Sequence, residues 1–196
     1  MFFRNLFWRK TENITVDYQK LHLVRPNPQY LRSFRNSYRE YTAHNVEDFG
    51  YYSVGTNRAF KRFLIMSDEL ARGVNLDIYE TVQTSLFWLT DGTFYLGSGS
   101  LRHTLTDHLK KIGGNIGYCV RPAVWRMGLG TVQLRLLCVE AKKIGLKTAR
   151  ITCFEENTAS RRVIEKNGGR WVERVINDIG GKDKPTLIYE IDLTRV

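Results

Sequence analysis

At 196 residues, with 42% hydrophobic and 26% charged side chains, the chain suits one soluble domain with a substantial core. No apolar run is long enough to span a bilayer, so a membrane-spanning protein is not expected. The net charge of +10 points to an anionic partner such as RNA or an acidic protein surface, or to a solvated basic surface.

The opening M-F-F-R-N-L-F-W-R-K is apolar but broken by Arg4, Arg9 and Lys10. It lacks the long apolar core and small-residue cleavage site of a signal peptide. We expect residues 1–18 to form a basic, aromatic arm packed on a domain over 19–196, or on a second copy in a homodimer. Contact with a membrane surface is the lesser reading. Cys119, Cys138 and Cys153 are odd in number and have no metal-like spacing. They read as reduced structural thiols of a cytoplasmic protein without a metal site.

In chain order, alternation predicts a strand over Lys20 to Arg25, ended by Pro26 and Pro28. Asn27 starts a helix to about His44, with Tyr30, Leu31, Phe34 and Tyr38 on its apolar face. Residues 46–57 read as a loop. Thr56 or Asn57 caps a second helix to about Ala71, with Phe60, Phe63, Leu64 and Met66 inward. Asp91-Gly92 marks a hairpin between strands Ser85–Thr90 and Thr93–His103. A polar excursion over 104–112 closes at Gly113-Gly114, and a central strand follows over Asn115–Val120. A Gly loop leads into a helix over Val132–Ile144. A strand over Thr148–Phe154, a helix over Asn157–Asn167 and strands over Trp171–Ile176 and Thr186–Leu193 complete the order. This is an α+β arrangement around a central mixed, mostly antiparallel sheet.

Between the central strand and its helix lies V-R-P-A-V-W-R-M-G-L-G-T, residues 120–131, with Gly128 and Gly130 at the helix entrance. Orphan N–H donors and the helix dipole make such a turn a phosphate site. It matches neither G-x-G-x-x-G nor a P-loop, so a dinucleotide fold and a nucleotide-triphosphate loop are not supported. A second motif, N-T-A-S-R-R-V-I-E-K-N-G-G, runs from Asn157 to Gly169.

Together the two motifs resemble the GCN5-related N-acetyltransferase (GNAT) family. Its phosphate loop, [QR]-x-x-G-x-[GA], falls on 125–130, and N-x-x-[AS]-x-x-[LV]-x-E-K-x-G falls on Asn157, Ser160, Val163, Glu165, Lys166 and Gly168. Leu101-Arg102-His103 and Ile112 to Tyr118 resemble a subgroup related to kasugamycin-type aminoglycoside acetyltransferases. The resemblance implies the GNAT fold, acetyl-CoA as cosubstrate and direct attack by an amine in a ternary complex. It also implies that N–H groups of Met127, Gly128, Leu129, Gly130 and Thr131 take the pyrophosphate. Backbone groups of Cys119 and Val120 line the strand that splays to admit the pantetheine arm. Asn157 serves the coenzyme, caps its helix, or does both. Arg126, Arg161 and Arg162 suit either phosphate contact or solvent.

The chain departs from the family at Trp125, where Gln or Arg is usual, and at Ile164, where many members carry Tyr as the acid. Ser160 and Tyr118 are then the candidate proton donors. His103 is the first candidate base, because imidazole titrates near neutrality. Glu47 and Asp48 are candidates to attract a cationic acceptor. The leading reading is acetyl transfer to a primary amine of a small molecule: a polyamine, an amino sugar or an aminoglycoside-type antibiotic. A ribosomal-protein or other protein acetyltransferase is the second reading. A non-catalytic coenzyme- or RNA-binding module is the third.

Overall fold

The computed structural model describes residues 12–44, 46 and 55–196. The first strand, β1 (His22–Val24), is followed by a 3-10 turn over Pro28–Tyr30. Asn27 caps that turn as expected, its Oδ1 accepting from Gln29 N at 3.0 Å. Helix α1 (Leu31–Ala43) buries Phe34 and Tyr41, whereas Tyr38, expected inward, is exposed. Thr56 caps α2 (Asn57–Arg72), which ends at Gly73 with φ 72°. Phe60 and Phe63 of α2 meet Phe34 of α1 on the ring of Trp88, whose centroid lies 4.5 Å from that of Phe34.

The hairpin β2 (Thr84–Thr90) to β3 (Tyr95–Arg102) turns at Asp91, whose Oδ1 accepts from Thr93 N and Phe94 N. A short helix, α3 (Asp107–Lys111), precedes β4 (Ile116–Val120). These strands form an antiparallel sheet in the order β1-β2-β3-β4. Helix α4 (Leu129–Lys143) covers one face of that sheet and begins three residues before the expected Val132. Gly99 sets how closely α4 lies on β3, because a Cβ there would stand 2.8 Å from Leu137 Cδ1. Leu134, Leu137, Cys138 and Ala141 bury the inner side of α4. Each buried leucine is worth about 1.5–3 kcal/mol.

After α4 come β5 (Thr148–Phe154), α5 (Thr158–Lys166), β6 (Arg170–Asp178) and β7 (Asp183–Asp192). They form a second antiparallel sheet in the order β5-β7-β6, so the expected single mixed sheet is instead two. Asn115 staples the two sheets at one end. Its N–H donates to Arg150 O at 2.7 Å, and its Oδ1 accepts from Arg150 N at 2.9 Å. Among the described residues, no backbone hydrogen bond joins Ile116–Val120 to β5 beyond that staple. A cleft therefore runs along β4 toward the N-terminus of α4.

Residues 12–18 are built into the domain. Val16 belongs to an apolar cluster with Leu89, Leu96, Val124 and Leu129, and the Asp17 N–H donates to Asp91. The earlier part of the expected arm lies outside the described residues.

Candidate functional site

Ladder parity decides which groups of β4 face the cleft. Arg102 N donates to Asn115 O, and Arg121 N donates to Leu96 O. In an antiparallel pair these bonds recur at every second residue, so Gly117 and Cys119 bond to Ser100 and Ser98 of β3. The N–H and C=O groups of Ile116, Tyr118 and Val120 therefore point away from β3, into the cleft. This corrects the expectation for Cys119, whose backbone is held in the ladder. Its side chain packs against the α1–α2 cluster, on the opposite face from α4. Val120 and Tyr118 share the parity whose backbone groups turn from β3.

At the mouth of the cleft, Gly128 stands at the N-cap of α4 with φ 79°, and Arg126 takes φ 64°. Alternating backbone of this kind turns successive N–H groups to one side as an anion nest. The backbone N–H groups of Arg126, Met127, Gly128, Leu129 and Gly130 have no partner among the described residues. The next two, Thr131 and Val132, bond back to Gly128 O. A Cβ at Gly128 would meet nothing within 4 Å, whereas one at Gly130 would stand 3.3 Å from Val163 Cγ2 and 3.6 Å from Val120 Cγ2. Gly130 thus keeps the inner end of the nest open between α5 and β4.

The loop is braced from both sides. The Trp125 indole N–H donates to Val120 O at 2.7 Å, and the Tyr18 hydroxyl donates to Met127 O at 2.8 Å. Behind it, the Arg121 side chain is fully buried. Its Nε donates to both Glu40 carboxylate oxygens at 3.0 Å, and its Nη1 donates to Glu12 at 3.0 Å and to Ser33 Oγ at 2.9 Å. Glu40 also accepts from Ala123 N at 3.0 Å, tying α1 directly to the loop. Sequence reasoning missed this hub. Its one signal was a charged residue ending an otherwise apolar strand.

Inside the cleft, Tyr118 Oη lies 3.0 Å from Ser160 Oγ. Burial drives the Tyr118 hydroxyl well above the usual phenol range, and Ser160 opposes this only in part. Burial also pushes up the nearby Cys153 thiol, which Ser160 approaches as well. Asn157 Oδ1 accepts from Ser160 N at 2.9 Å and so caps α5. Asn167 Nδ2 donates to both Val163 O and Thr131 O, which fixes α5 against the first turn of α4. Ile164 is fully buried, so the position where many relatives carry an acid here packs the core.

Other expected residues fall elsewhere. Arg161 turns to the Tyr189 hydroxyl and Glu165, away from the nest, while Arg162 is exposed. His103 lies past the Asn115 staple, at the closed end of the cleft, with Nε2 3.0 Å from Ser85 Oγ. Five ladder steps separate Val120 from that end, roughly 16 Å. His103 is therefore not brought together with the nest or with Tyr118 and Ser160. Desolvation, then Arg25, lower its pKa. Glu47 and Asp48 lie outside the described residues. All three cysteines are free, and burial raises Cys138 to about 12. Among the described residues, no cluster of three or more His, Cys, Asp or Glu is placed to hold a metal, and no helix is long and apolar enough to cross a membrane.

Residues 17–170 match the acetyltransferase (GNAT) domain family, and the chain belongs to that family. It is an acetyl-CoA-dependent acetyltransferase of the GNAT type. Solved structures share the fold at low identity. The microcin C7 self-immunity acetyltransferase MccE, in complex with acetyl-CoA and AMP, matches at a TM-score of 0.64 and 17% identity, over 88% of this chain and 92% of its own. The Salmonella typhimurium acetyltransferase that modifies the N-terminal serine of 50S ribosomal protein L7/L12 matches at 0.63 and 14%, over 88% and 95%. A spermidine N-acetyltransferase chimera of Vibrio cholerae and hSSAT matches at 0.59 and 12%, over 90% and 98%. No curated protein matches the sequence.

Proposed function

We propose that this enzyme acetylates a primary amine on a small molecule, with the coenzyme lying along β4 and its phosphates in the nest at residues 126–130. The observation that carries this reading is the run of five N–H groups, without a partner among the described residues, that opens into the cleft beside the Tyr118–Ser160 pair. A glycine-kept cradle, a helix N-terminus and a split between sheets fit a long ligand that is anionic at one end. Acetyl-CoA supplies the acetyl thioester. The chain supplies the nest for the phosphates and outward N–H groups of Tyr118 and Val120 for a carbonyl oxygen. The Trp125 indole occupies Val120 O, so that residue presents its donor without a competing acceptor in the cleft.

Tyr118 stays protonated throughout the working range because burial disfavours its phenolate. Paired with Ser160, it holds a proton that can pass to a leaving thiolate. The new N–C bond replaces the C–S bond, the proton lost by the amine leaves to solvent, and solvent returns a proton to Tyr118. This reading assigns the acid to Tyr118 and Ser160 and leaves His103 outside the chemistry. The domain doing this comprises residues 19–196 together with the packed segment 12–18.

A second reading takes a protein N-terminus as the acceptor, supported by the charge of +10, which would favour docking on ribosomal RNA. Release of coenzyme A thiol from acetyl-CoA separates the two readings. The panel holds polyamines, amino sugars, aminoglycosides including kasugamycin, and basic N-terminal peptides. Turnover with one small-amine class supports the proposal. Turnover confined to peptides replaces it with the second reading, and turnover with kasugamycin would add antibiotic resistance.

A further inference from the structure

Strand β6 forms the free edge of the second sheet. Between its bulge at Trp171/Glu173 and the turn at residues 179–182, the ladder is regular. Ile179 and Lys182 exchange both backbone hydrogen bonds. By the same alternation as on β4, Val175 and Asn177 then bond to β7. The N–H and C=O groups of Arg174, Ile176 and Asp178 point outward, unpaired. An edge of this kind templates another strand unless something covers it.

The side chains on this edge are also unusual for solvent. Trp171, Val172, Ile176 and Ile179, at 61%, 40%, 51% and 36% exposure, crowd large apolar side chains into nine residues. Arg174, Ile176 and Asp178 share one face, because alternate residues of a strand do. The order is cation, apolar centre, anion; within the chain Arg174 also pairs with Glu155 at 2.9 Å, and Asp178 Oδ1 accepts from Gly181 N at 2.8 Å.

We infer that β6 pairs antiparallel with β6 of a second copy, across a two-fold axis at Ile176. In that register each Arg174 stands opposite Asp178 of the second copy, and the two Ile176 side chains meet on the axis. The three outward residues fill one another's backbone bonds without leaving an orphan. An isologous interface must be self-complementary, and this sequence is so in charge as well as in apolarity. Continued past the regular ladder, the register sets Trp171 of the second copy beside the Gly180-Gly181 turn. That turn borders an open cavity of about 520 Å³ lined by Ile112, Ile176, Ile179 and Gly180. The inference is independent of the acceptor.

Sedimentation velocity of the full chain across protein concentration tests it. The wild type is expected to be a dimer. Arg174→Asp and Asp178→Arg should each raise the dissociation constant at least about tenfold by placing like charges opposite one another. The double variant, with the charges exchanged and Glu155→Gln added so that position 174 faces no carboxylate of its own chain, should restore the dimer. Ile176→Arg, at an exposed site, should give a folded monomer that coenzyme A still stabilises. A monomeric wild type, a dimer that survives Ile176→Arg, or a double variant no better than the singles would overturn the inference.

Discussion

Tyr118 on β4 and Ser160 on α5 meet hydroxyl to hydroxyl at 3.0 Å, joining a strand of the first sheet to the helix that follows β5 of the second. Each is placed by its element. Tyr118 faces α4 and α5 by strand parity, and Ser160 sits at the third position of a helix capped by Asn157. Tyr118→Phe should lower kcat by about 10²-fold or more, the size of a general-acid contribution, with little change in coenzyme affinity. Ser160→Ala should fall in the same range, and the double variant should be no worse than the poorer single. Because burial raises Tyr118, the wild-type profile should show no tyrosine ionisation below pH 10. A loss of kcat toward pH 9 that disappears in Tyr118→Phe would contradict the raised pKa, whereas a Tyr118→Phe variant with unchanged kcat would refute the assignment.

Much of this was legible in the sequence, and the failures have physical causes. Asp91-Gly92, the strand Thr148–Phe154 and the cap at Asn157 carry local chemistry, so residue type alone places them. The sequence places the start of α4 three residues late because Gly128 and Gly130 look like loop residues. Only the first is the cap, and Gly130 lies within the first turn. The family resemblance points to a stretch of strand, Cys119 with Val120, whereas ladder parity, which depends on the pairing of β3, separates the two. His103 was read from local context, and the staple at Asn115 that puts it at the closed end is a long-range contact. The Arg121 hub gathers Glu12, Ser33 and Glu40 from distant segments, and nothing local announces it.

Arg121 and Glu40 make a buried pair, and without Glu40 the guanidinium keeps Glu12, which is more exposed, as its counter-charge. Glu40→Ala should cost about 3–5 kcal/mol. In a domain of this size that lowers the midpoint of thermal unfolding by roughly 6–20 °C. It should also raise the KM for acetyl-CoA more than it lowers kcat, because Glu40 holds Ala123 N next to the nest. A variant as stable as the wild type would show that the pair is not buried in solution.

His103 gives a pH dependence of stability. Desolvation, followed by Arg25, depresses its folded pKa below the ordinary value of 6.5. The unfolded chain therefore binds more protons in the window just below 6.5, and stability falls as pH drops through it. His103→Gln should flatten the midpoint of unfolding between pH 7 and 5 while leaving kcat near the wild-type value. A large fall in kcat with the pH slope unchanged would return His103 to the role of base.

The nest at residues 126–130 is the centre of the account, and coenzyme A binding tests it most directly. At a hundredfold excess over its dissociation constant, a ligand stabilises the folded state by about 2.7 kcal/mol. That corresponds to roughly 5–10 °C in the unfolding midpoint. Gly128→Glu sets an anion at the helix entrance and forces a side chain onto a backbone with φ 79°. The account predicts a clear upward shift for the wild type and its loss in Gly128→Glu, with the variant's secondary structure intact. An equal shift in both proteins, or none in the wild type, would contradict it.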